Sequence, residues 1–272
     1  MENNISTSDT SKVIKFLKKK NKIFTSGKNV EKFEQNWSKW LGVKYSVFVN
    51  SGSSANFLTL ACLKEMGFKG EVIVPSLTWI SDIVSVIRND FTPVFVDINL
   101  NNLSMNEDQI ISKISKKTVA VFITHAQGFN GLTHKLINIL KKKKILLLED
   151  VCESHGAYFK KKKLGRYGLI SNLSFYYAHN WSTIEGGMLC TNSRKIYQLA
   201  RSMRAHGMAR EFGSIAEEKK YIKKYPKLSK KFIFCYPGFN FRNNEIGAII
   251  GLNQLKRLDS NNLKRTKNFK LF

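Results

Sequence analysis

One histidine of this sequence stands where a side chain could move protons to or from a bound ligand. The stretch from Ser171 to Asn192 has an apolar strand, a polar turn that carries His179, the tripeptide Glu-Gly-Gly at residues 185–187, and a second apolar strand. Two strands joined in this way place their turn at the rim of a sheet, where its side chains can meet a ligand. Imidazole titrates near neutral pH, so His179 could act there as an acid or a base. A lone loop histidine is more often an ordinary surface residue, so the rest of the chain has to decide between the two interpretations.

Residues 50–56, Asn-Ser-Gly-Ser-Ser-Ala-Asn, have the pattern of an anion-binding turn. They follow the short apolar strand Tyr45–Val49 and precede a helical run that carries Leu58, Leu60 and Cys62. The first N–H groups of a helix have no partner within the helix and lie at the positive end of its dipole, so such a turn can hold a phosphate. Ser-Gly-Ser-Ser is as often a plain helix cap, and the pattern alone leaves both interpretations open.

Short apolar strands alternate with helices through residues 45–148. The predicted strands are Tyr45–Val49, Val72–Val74, Pro93–Asp97, Val119–Thr124 and Ile145–Leu148, and the predicted helices between the later strands are Asn106–Ile114 and Leu132–Leu140. This alternation predicts an α/β fold with a mainly parallel sheet and helices on both faces. Ligands bind such sheets beyond the carboxyl ends of the strands. The Ser-Gly-Ser-Ser turn, Trp79, His125 and Asp150 all lie at or just after such ends, so we expect them to meet at one rim.

Further helices and one basic segment flank this region. Helices are predicted from Asp9 through Leu17, at Val30–Leu41 before Gly42, at Arg194–Arg204 and at Glu245–Leu255. Residues Gly213–Lys231 are basic and lack an apolar period, so we expect them to form an irregular surface segment.

Length and hydropathy indicate a globular protein. The 272 residues suit one large α/β domain. The sequence contains no apolar run near the ~20 residues that a membrane-spanning helix requires. Residues Met1–Lys12 are polar and lack the apolar segment of a secretory signal. We therefore expect a soluble, cytoplasmic protein with no membrane partner.

The formal net charge of +25 comes from an excess of lysine. Lysine runs at Lys18–Lys20, Lys141–Lys144 and Lys160–Lys163 fall where helix ends and turns are expected, which is typical of a solvated surface. The sequence has no helix-turn-helix, zinc-finger or RNP-like pattern, so nucleic acid is not the expected partner. A positive field would instead favour a small anionic substrate.

The four cysteines are widely spaced along the chain. Cys62, Cys152, Cys190 and Cys235 include no CxxC or CxC pair. Such spacing favours free thiols over a disulfide framework or a zinc site, so no metal is expected.

Six segments together are characteristic of one enzyme family. They are NSGSSAN, VIVPSLTW, TPVFVDI, LLLEDVCESHGA, SFYYAHNWSTIEGG and PGFNFRNNEIGAIIGLNQL. From about Asp9 to Asn268 the chain resembles the DegT/DnrJ/EryC1/StrS family of sugar aminotransferases and dehydratases, which use pyridoxal 5′-phosphate (PLP) and have the fold-type-I architecture. The resemblance implies an N-terminal helical segment at residues 1–30 and a PLP-binding large domain at 31–255. Residues 256–272 would be the start of a C-terminal small domain that is largely absent from this chain.

The resemblance also implies a role for individual residues. Gly52, Ser53 and Ser54 match the turn that holds the cofactor phosphate, and Ser174 matches a second phosphate ligand. Trp79 matches the aromatic residue that stacks on the pyridine ring. Asp150 matches the carboxylate that keeps the pyridine nitrogen protonated, and Glu153 stands where the aminotransferases usually have glutamine near the ring hydroxyl. Asn240 matches an asparagine that reaches the phosphate of the neighbouring subunit, which implies a homodimer.

His179 departs from the pattern of the aminotransferases. Their cofactor-binding lysine stands six residues before the glutamate of Glu-Gly-Gly, and imidazole cannot form that covalent bond. One branch of the family has the same histidine. Its members remove the C3 hydroxyl of a GDP-linked 4-keto-6-deoxyhexose in deoxysugar and O-antigen biosynthesis, using PLP and its amine form, pyridoxamine 5′-phosphate (PMP), with L-glutamate as the amino donor. The resemblance therefore implies a nucleotide-sugar 3-dehydratase with His179 as the base.

Two other interpretations stay open at this point. The chain could be a nucleotide-sugar aminotransferase of the same fold that works without lysine. It could also be a truncated, non-catalytic homologue, because members of the family continue well beyond the equivalent of Phe272. The nucleotide and the sugar rest on the resemblance alone.

Overall fold

A computed structural model describes residues 4–271; residues 1–3 and 272, the outer ends of the predicted first and last segments, lie outside the described residues. Its strands are β1 Tyr45–Val49, β2 Glu71–Pro75, β3 Thr92–Val96, β4 Thr118–Thr124, β5 Leu146–Asp150, β6 Tyr158–Phe159, β7 Lys162–Lys163, β8 Ile170–Ser174 and β9 Gly187–Thr191. Seven of these form the central sheet of the described part, in the order β1-β9-β8-β5-β4-β2-β3. Strands β6 and β7 form a separate hairpin.

Helices cover both faces of this sheet. They are α1 Thr7–Leu17, α2 Lys28–Leu41, α3 Gly52–Glu65, α4 Ile80–Arg88, α5 Glu107–Lys113, α6 His134–Lys143, α7 Arg194–Arg204, α8 Ile215–Lys224, α9 Glu245–Leu255 and α10 Leu258–Phe269. Successive strand residues point to opposite faces, so Val47 and Val49 enter one core while Phe48 enters the other. Burial on both faces explains why the strands are continuous apolar runs.

Strand direction brings the predicted rim residues to one edge of the sheet. Strands β2, β3, β4, β5 and β8 are parallel to one another, whereas β9 is antiparallel to both β8 and β1. Strand β1 therefore runs in the same direction as β8. The carboxyl ends of β1, β2, β4, β5 and β8 consequently share one edge, which confirms the mainly parallel α/β sheet predicted from the sequence.

The prediction of an irregular segment at Gly213–Lys231 was wrong, because helix α8 lies within it. Ser214 caps the helix by accepting from the N–H of Glu217, and Lys223 and Lys224 occupy its last turn. The Tyr221 ring stacks on Phe212, with their centroids 5.3 Å apart. Capping and one aromatic contact thus stabilise a helix that the apolar periodicity of the sequence did not indicate.

The two ends of the described chain are joined to each other. Arg257 donates to the buried carboxylate of Asp9 at 2.5 Å, and Asn253 donates to the same carboxylate at 2.8 Å. Trp40 donates to Asp259 of α10 at 2.9 Å. Division of the chain at residues 30 and 255 stays a prediction.

In the stretch that the structure describes, no helix combines the length and the apolar character needed to cross a membrane. All four cysteines are free; Cys62 and Cys190 are buried, and Cys152 and Cys235 are partly buried.

Candidate active site

Helix α3 begins at the predicted anion turn. Ser51 is the N-cap, and its hydroxyl accepts from the N–H of Ser54 at 3.0 Å. The N–H groups of Gly52 and Ser53 have no hydrogen-bond partner among residues 4–271. Two free donors therefore lie at the positive end of a helix of 14 residues. Ser54 differs from the expectation, because the cap already uses its backbone donor and only its hydroxyl stays available.

Ser174 lies directly against this turn. A Cβ added at Gly52 would be 2.5 Å from the Cβ and 3.0 Å from the Oγ of Ser174. A Cβ added at Gly187, opposite Ser174 in the sheet, would be 2.2 Å from the carbonyl oxygen of Ser51. The two glycines let the ends of β1 and β8 meet at the start of α3. The second glycine of Glu-Gly-Gly is thus explained by this close approach.

Replacing Gly52 by alanine is expected to destabilise the fold by about 1–3 kcal/mol, because the new methyl group would overlap Ser174. It should also weaken phosphate binding, since either the turn or Ser174 must move. Urea unfolding and fluorescence titration with inorganic phosphate would measure the two effects. Gly247→Ala is the matched control, since it lies in the first turn of α9 and its Cβ would meet its nearest neighbour at 3.4 Å. Equal losses in both variants would contradict this account.

Asp150 ends β5 at the same edge and is 4% exposed. One carboxylate oxygen accepts from the N–H of Cys152 at 2.8 Å, and the other accepts from the side-chain amide of Asn56 at 3.0 Å. Within residues 4–271, no lysine, arginine or histidine forms an ion pair with it. A buried carboxylate without a cation is suited to a ligand that brings a positive charge.

Asn56 also binds a second buried carboxyl group. Its amide donates to Asp82 at 2.5 Å, so one side chain holds both Asp82 and Asp150. Burial raises the pKa of Asp82 well above its usual range, and Asp150 raises it further. Sequence reasoning missed both residues. Asn56 is the last residue of the anion-binding turn at residues 50–56, whereas Asp82 belongs to no recognised motif.

His179 lies in the turn after β8 and is half-buried. Its backbone N–H donates to the carbonyl of Tyr176 at 3.1 Å, and its own carbonyl accepts from the side chain of Asn4 at 2.9 Å. Burial lowers the pKa of His179, while Glu153 and Asp150 oppose the change. The neutral imidazole therefore predominates at neutral pH, and it can accept a proton.

A second histidine packs beside the first. The rings of His155 and His179 have centroids 5.9 Å apart, and Nδ1 of His155 lies 3.1 Å from the side-chain oxygen of Asn180. Burial, with a smaller effect from His179, lowers the pKa of His155 to about 3. Asn180 in turn donates to Asn262 of α10 at 3.0 Å. These contacts hold the segment next to His179 in place.

The three remaining predicted residues lie at the rim with looser attachments. The exposed Glu153 accepts from the N–H of Gln127 at 2.8 Å. Trp79 caps α4 without a side-chain bond and is 72% exposed. Asn240 is exposed and accepts from Arg242 at 3.1 Å. The structure thus joins Gly52 to Ser174 and Asp150 to α3, and it places Trp79 and Asn240 apart from these contacts.

His125 follows β4 as expected, but its side chain turns into the protein. Its Nδ1 accepts from the N–H of Gly131 at 3.2 Å, so Nε2 carries the hydrogen and donates to Glu149 at 3.2 Å. Both side chains are fully buried. His125 therefore stabilises the fold rather than facing the rim.

This arrangement fits a flat, phosphorylated cofactor with a basic ring nitrogen. The free donors of Gly52 and Ser53 and the hydroxyl of Ser174 suit the phosphate, and the uncompensated carboxylate of Asp150 suits a protonated ring nitrogen. The exposed indole of Trp79 is free to stack on a ring. Among the described residues, no cluster of three or more histidines, cysteines or acidic residues could hold a metal ion.

The profile of the DegT/DnrJ/EryC1/StrS aminotransferase family matches residues 4–272. The chain belongs to this family. It is 35% identical over 258 residues to GDP-4-keto-6-deoxy-D-mannose 3-dehydratase of Yersinia pseudotuberculosis, an alignment covering 92% of this chain and 65% of that protein. The chain thus spans just under two thirds of that curated relative.

Solved structures share the fold. A structure of GDP-4-keto-6-deoxymannose-3-dehydratase with a trapped PLP-glutamate geminal diamine is 30% identical, with a TM-score of 0.81, and the match covers 95% of this chain and 67% of that one. Helicobacter pylori PseC, an aminotransferase involved in the biosynthesis of pseudoaminic acid, is 26% identical, with a TM-score of 0.80, and the match covers 94% of this chain and 64% of that one. These likenesses confirm the predicted family and the fold-type-I architecture.

Proposed function

We propose that this protein is a PLP- and PMP-dependent nucleotide-sugar 3-dehydratase, which removes the C3 hydroxyl of an NDP-4-keto-6-deoxyhexose. The observation that carries the proposal is the half-buried, neutral His179 at the turn before Glu-Gly-Gly. Residues 164–194 contain no lysine, so realigning this segment by a few residues does not bring a lysine to the position of His179. The relative at 35% identity is a 3-dehydratase, which supports this choice.

The residues that would hold the cofactor are those already described. Gly52, Ser53, Ser54 and Ser174 would hold the phosphate, Trp79 would stack on the ring, and Glu153 would lie near the ring hydroxyl. Asn240 would reach the phosphate in a second copy of the chain. When bound, PMP would supply an amine for the C4 ketone of the sugar and a ring that accepts electrons.

The chain's own residues would manage the protons. Asp150 would hold a proton on the ring nitrogen through charge attraction. His179 would take a proton from the C4′ carbon of the cofactor and give one to the departing C3 oxygen, since a neutral imidazole can do both in turn. Burial of these groups strengthens each electrostatic contact.

The remaining partners follow from the relatives. A GDP-linked sugar is the substrate named for the Yersinia enzyme, and glutamate is the amino donor suggested by the dehydratase structure that holds it with PLP. We propose the same two partners for this chain. The net charge of +25 would favour the approach of a doubly charged nucleotide diphosphate.

The acid limb of the pH profile offers a test of His179. Because burial lowers its pKa from the ordinary 6.5, activity should persist below pH 6.5 and fall only as the imidazole becomes protonated at lower pH. Initial rates of dehydration, measured from about pH 4.5 to about pH 8, would show this limb, because histidine titrates within that range. An acid limb above the ordinary histidine value would contradict the assignment.

A homodimer is also part of the proposal. Helix α4 presents an apolar stripe at Ile80, Val84 and Ile87, which are 63%, 42% and 53% exposed. Phe95 on the edge strand β3 adds to the apolar surface on this side. Such spacing puts the three helix residues on one face, where a second copy could cover them.

Val84→Asp should therefore shift the protein towards the monomer, because a carboxylate in an apolar interface is strongly disfavoured. Sedimentation velocity would measure the shift. Ile215→Asp is the control, since it places the same charge at an exposed apolar residue of α8, which is 71% exposed, away from the α4 stripe. The dimer interface would lie elsewhere if both variants sediment like the original protein.

Absorbance spectroscopy tests the whole proposal. The purified protein would be incubated with PLP, dialysed, and then given L-glutamate. Release of 2-oxoglutarate with a shift from the aldehyde to the amine spectrum is expected, followed by formation of a 3-deoxy product and ammonia from GDP-4-keto-6-deoxymannose. A product that keeps nitrogen on the sugar would indicate an aminotransferase. Failure to retain PLP or PMP would indicate a non-catalytic homologue.

A further inference from the structure

Six buried carboxyl groups allow a comparison within the described residues. Four have strong compensation: Asp9 binds Arg257, Glu34 binds Arg204, Glu149 accepts from three backbone N–H groups and His125, and Glu245 accepts from three backbone N–H groups and Asn29. The other two are Asp82 and Asp150, which share the amide of Asn56. A buried carboxylate normally needs a cation or several N–H donors, whereas this pair has no cation, and its N–H donors are the shared Asn56 amide and, for Asp150 alone, the backbone N–H of Cys152.

Asp82 lies in the first turn of α4 and is fully buried. Its Oδ2 lies 2.5 Å from the hydroxyl of Thr78 and 2.8 Å from the hydroxyl of Thr124. The two hydroxyls are themselves 2.8 Å apart. Three oxygens from the turn after β2, the end of β4 and the start of α4 thus form a triangle with every side at hydrogen-bond distance.

The triangle has one hydrogen too few if Asp82 is ionised. Each threonine hydroxyl carries a single hydrogen, so Thr78 and Thr124 supply two hydrogens for three oxygen–oxygen contacts. A hydrogen on Oδ2 of Asp82 supplies the third. Each oxygen then donates once and accepts once, so every contact of the triangle carries a hydrogen; Asp82 is buried, and Thr78 and Thr124 are half-buried.

We propose that Asp82 is a protonated positioning residue, which leaves Asp150 as the single anion of the buried pair and fixes it through Asn56. The part that concerns the ring nitrogen rests on the proposed function. Two ionised carboxylates around one amide would repel each other, whereas a neutral Asp82 leaves one negative charge opposite the ligand.

The surroundings of Asp82 support a neutral carboxyl. Burial raises its pKa well above the usual range, and the charge of Asp150 raises it further. Titratable groups that face it are Asp150 on β5 and the thiol of Cys152, whose own pKa is raised by burial first and then by both aspartates. The hydroxyls of Thr78 and Thr124 lower the pKa of Asp82 by smaller amounts, and within residues 4–271 no lysine, arginine or histidine forms an ion pair with it.

Infrared spectroscopy of the cofactor-free protein tests the proton directly. With carbon-13-labelled aspartate at pH 7, the wild type should show the carbonyl stretch of a buried carboxylic acid. Asp82→Asn should remove this band, and Asp150→Asn should keep it because the triangle is intact. Absence of the band in the wild type, or its loss only in Asp150→Asn, would overturn the proposal.

Unfolding equilibria give an independent measurement. A carboxyl whose pKa is raised in the folded state stabilises the protein below its unfolded pKa of about 3.9, and this stabilisation is lost as the pH rises towards the folded value. The unfolding constant of the wild type, divided by that of Asp82→Asn, should therefore rise with pH above about pH 4, by up to about tenfold per pH unit. A ratio that stays constant or falls with pH would contradict a protonated Asp82.

Cofactor retention separates positioning from bulk packing. Asparagine has the shape of a neutral carboxyl, so Asp82→Asn should bind PLP within about threefold of the wild type, whereas Asp82→Ala should lose about tenfold or more with the hydrogen bonds. Equal losses in both variants would overturn the proposed role. If the wild type itself fails to bind PLP while the infrared band is present, the proposed function fails and the protonation of Asp82 stands.

Discussion

Replacing His179 by lysine is expected to make the protein hold PLP covalently and to slow dehydration strongly. The turn before Glu-Gly-Gly is half-buried, and its pKa-lowering environment would also favour the neutral form of an introduced amine. A neutral amine can bond to the aldehyde of PLP, which imidazole cannot do. The same change removes the base, and general acid–base catalysis is worth about 10²–10⁴-fold in rate.

The expected readouts are distinct for binding and for chemistry. After reduction with borohydride and denaturation, His179→Lys should keep PLP covalently attached, whereas the original protein should release it. Dehydration of GDP-4-keto-6-deoxymannose should fall by about 10²–10⁴-fold in both His179→Lys and His179→Gln.

Asn180→Lys is the matched control, because it places an amine one residue away, where Asn180 contacts His155 and Asn262. It should not trap PLP. Unchanged dehydration in His179→Lys would exclude His179 as the base.

Local patterns predicted the frame of this site. Strand β5 ending at Asp150 and helix α3 starting at Gly52 both follow from apolar runs bounded by polar or small residues. Because the strands are parallel, their carboxyl ends lie at one edge of the sheet, independently of how the side chains are oriented. Position 187 requires glycine, because a Cβ there would overlap the carbonyl oxygen of Ser51.

Side-chain partners across long sequence separations could not be read in the same way. His125 follows a strand as predicted, yet its direction depends on Glu149, which lies one strand away in the sheet. Asp82 is bound to Asn56 and to Thr124, which are 26 and 42 positions away in the chain. Neither pairing produces a period or a motif, so only the fold reveals it.

Replacing Arg204 by methionine is expected to be among the most destabilising single changes outside the proposed site. Arg204 ends α7 and is 2% exposed. Its Nη1 donates to Glu34 at 2.6 Å and to the carbonyl of Phe48 at 2.7 Å, while the N–H of Phe48 donates to the same Glu34 oxygen at 2.8 Å. One ion pair therefore joins α2, β1 and α7.

Loss of the guanidinium would leave Glu34 buried without its main cation, since Arg201 is 4.0 Å away from its other oxygen. Breaking such a pair costs about 3–5 kcal/mol, against a total stability of about 5–15 kcal/mol for a typical protein. Urea unfolding at neutral pH would measure the loss as a lower midpoint at constant slope.

Two comparisons test whether the broken ion pair causes the loss of stability in Arg204→Met. Lys64→Met removes an exposed pair with Asp90, whose side chains are 52% and 76% exposed, and should cost no more than about 1 kcal/mol. The double variant Glu34→Gln with Arg204→Met should be more stable than Arg204→Met alone, because the uncompensated charge is gone. If Arg204→Met costs no more than Lys64→Met, or if the double variant is the less stable one, the ion pair does not hold these three elements together.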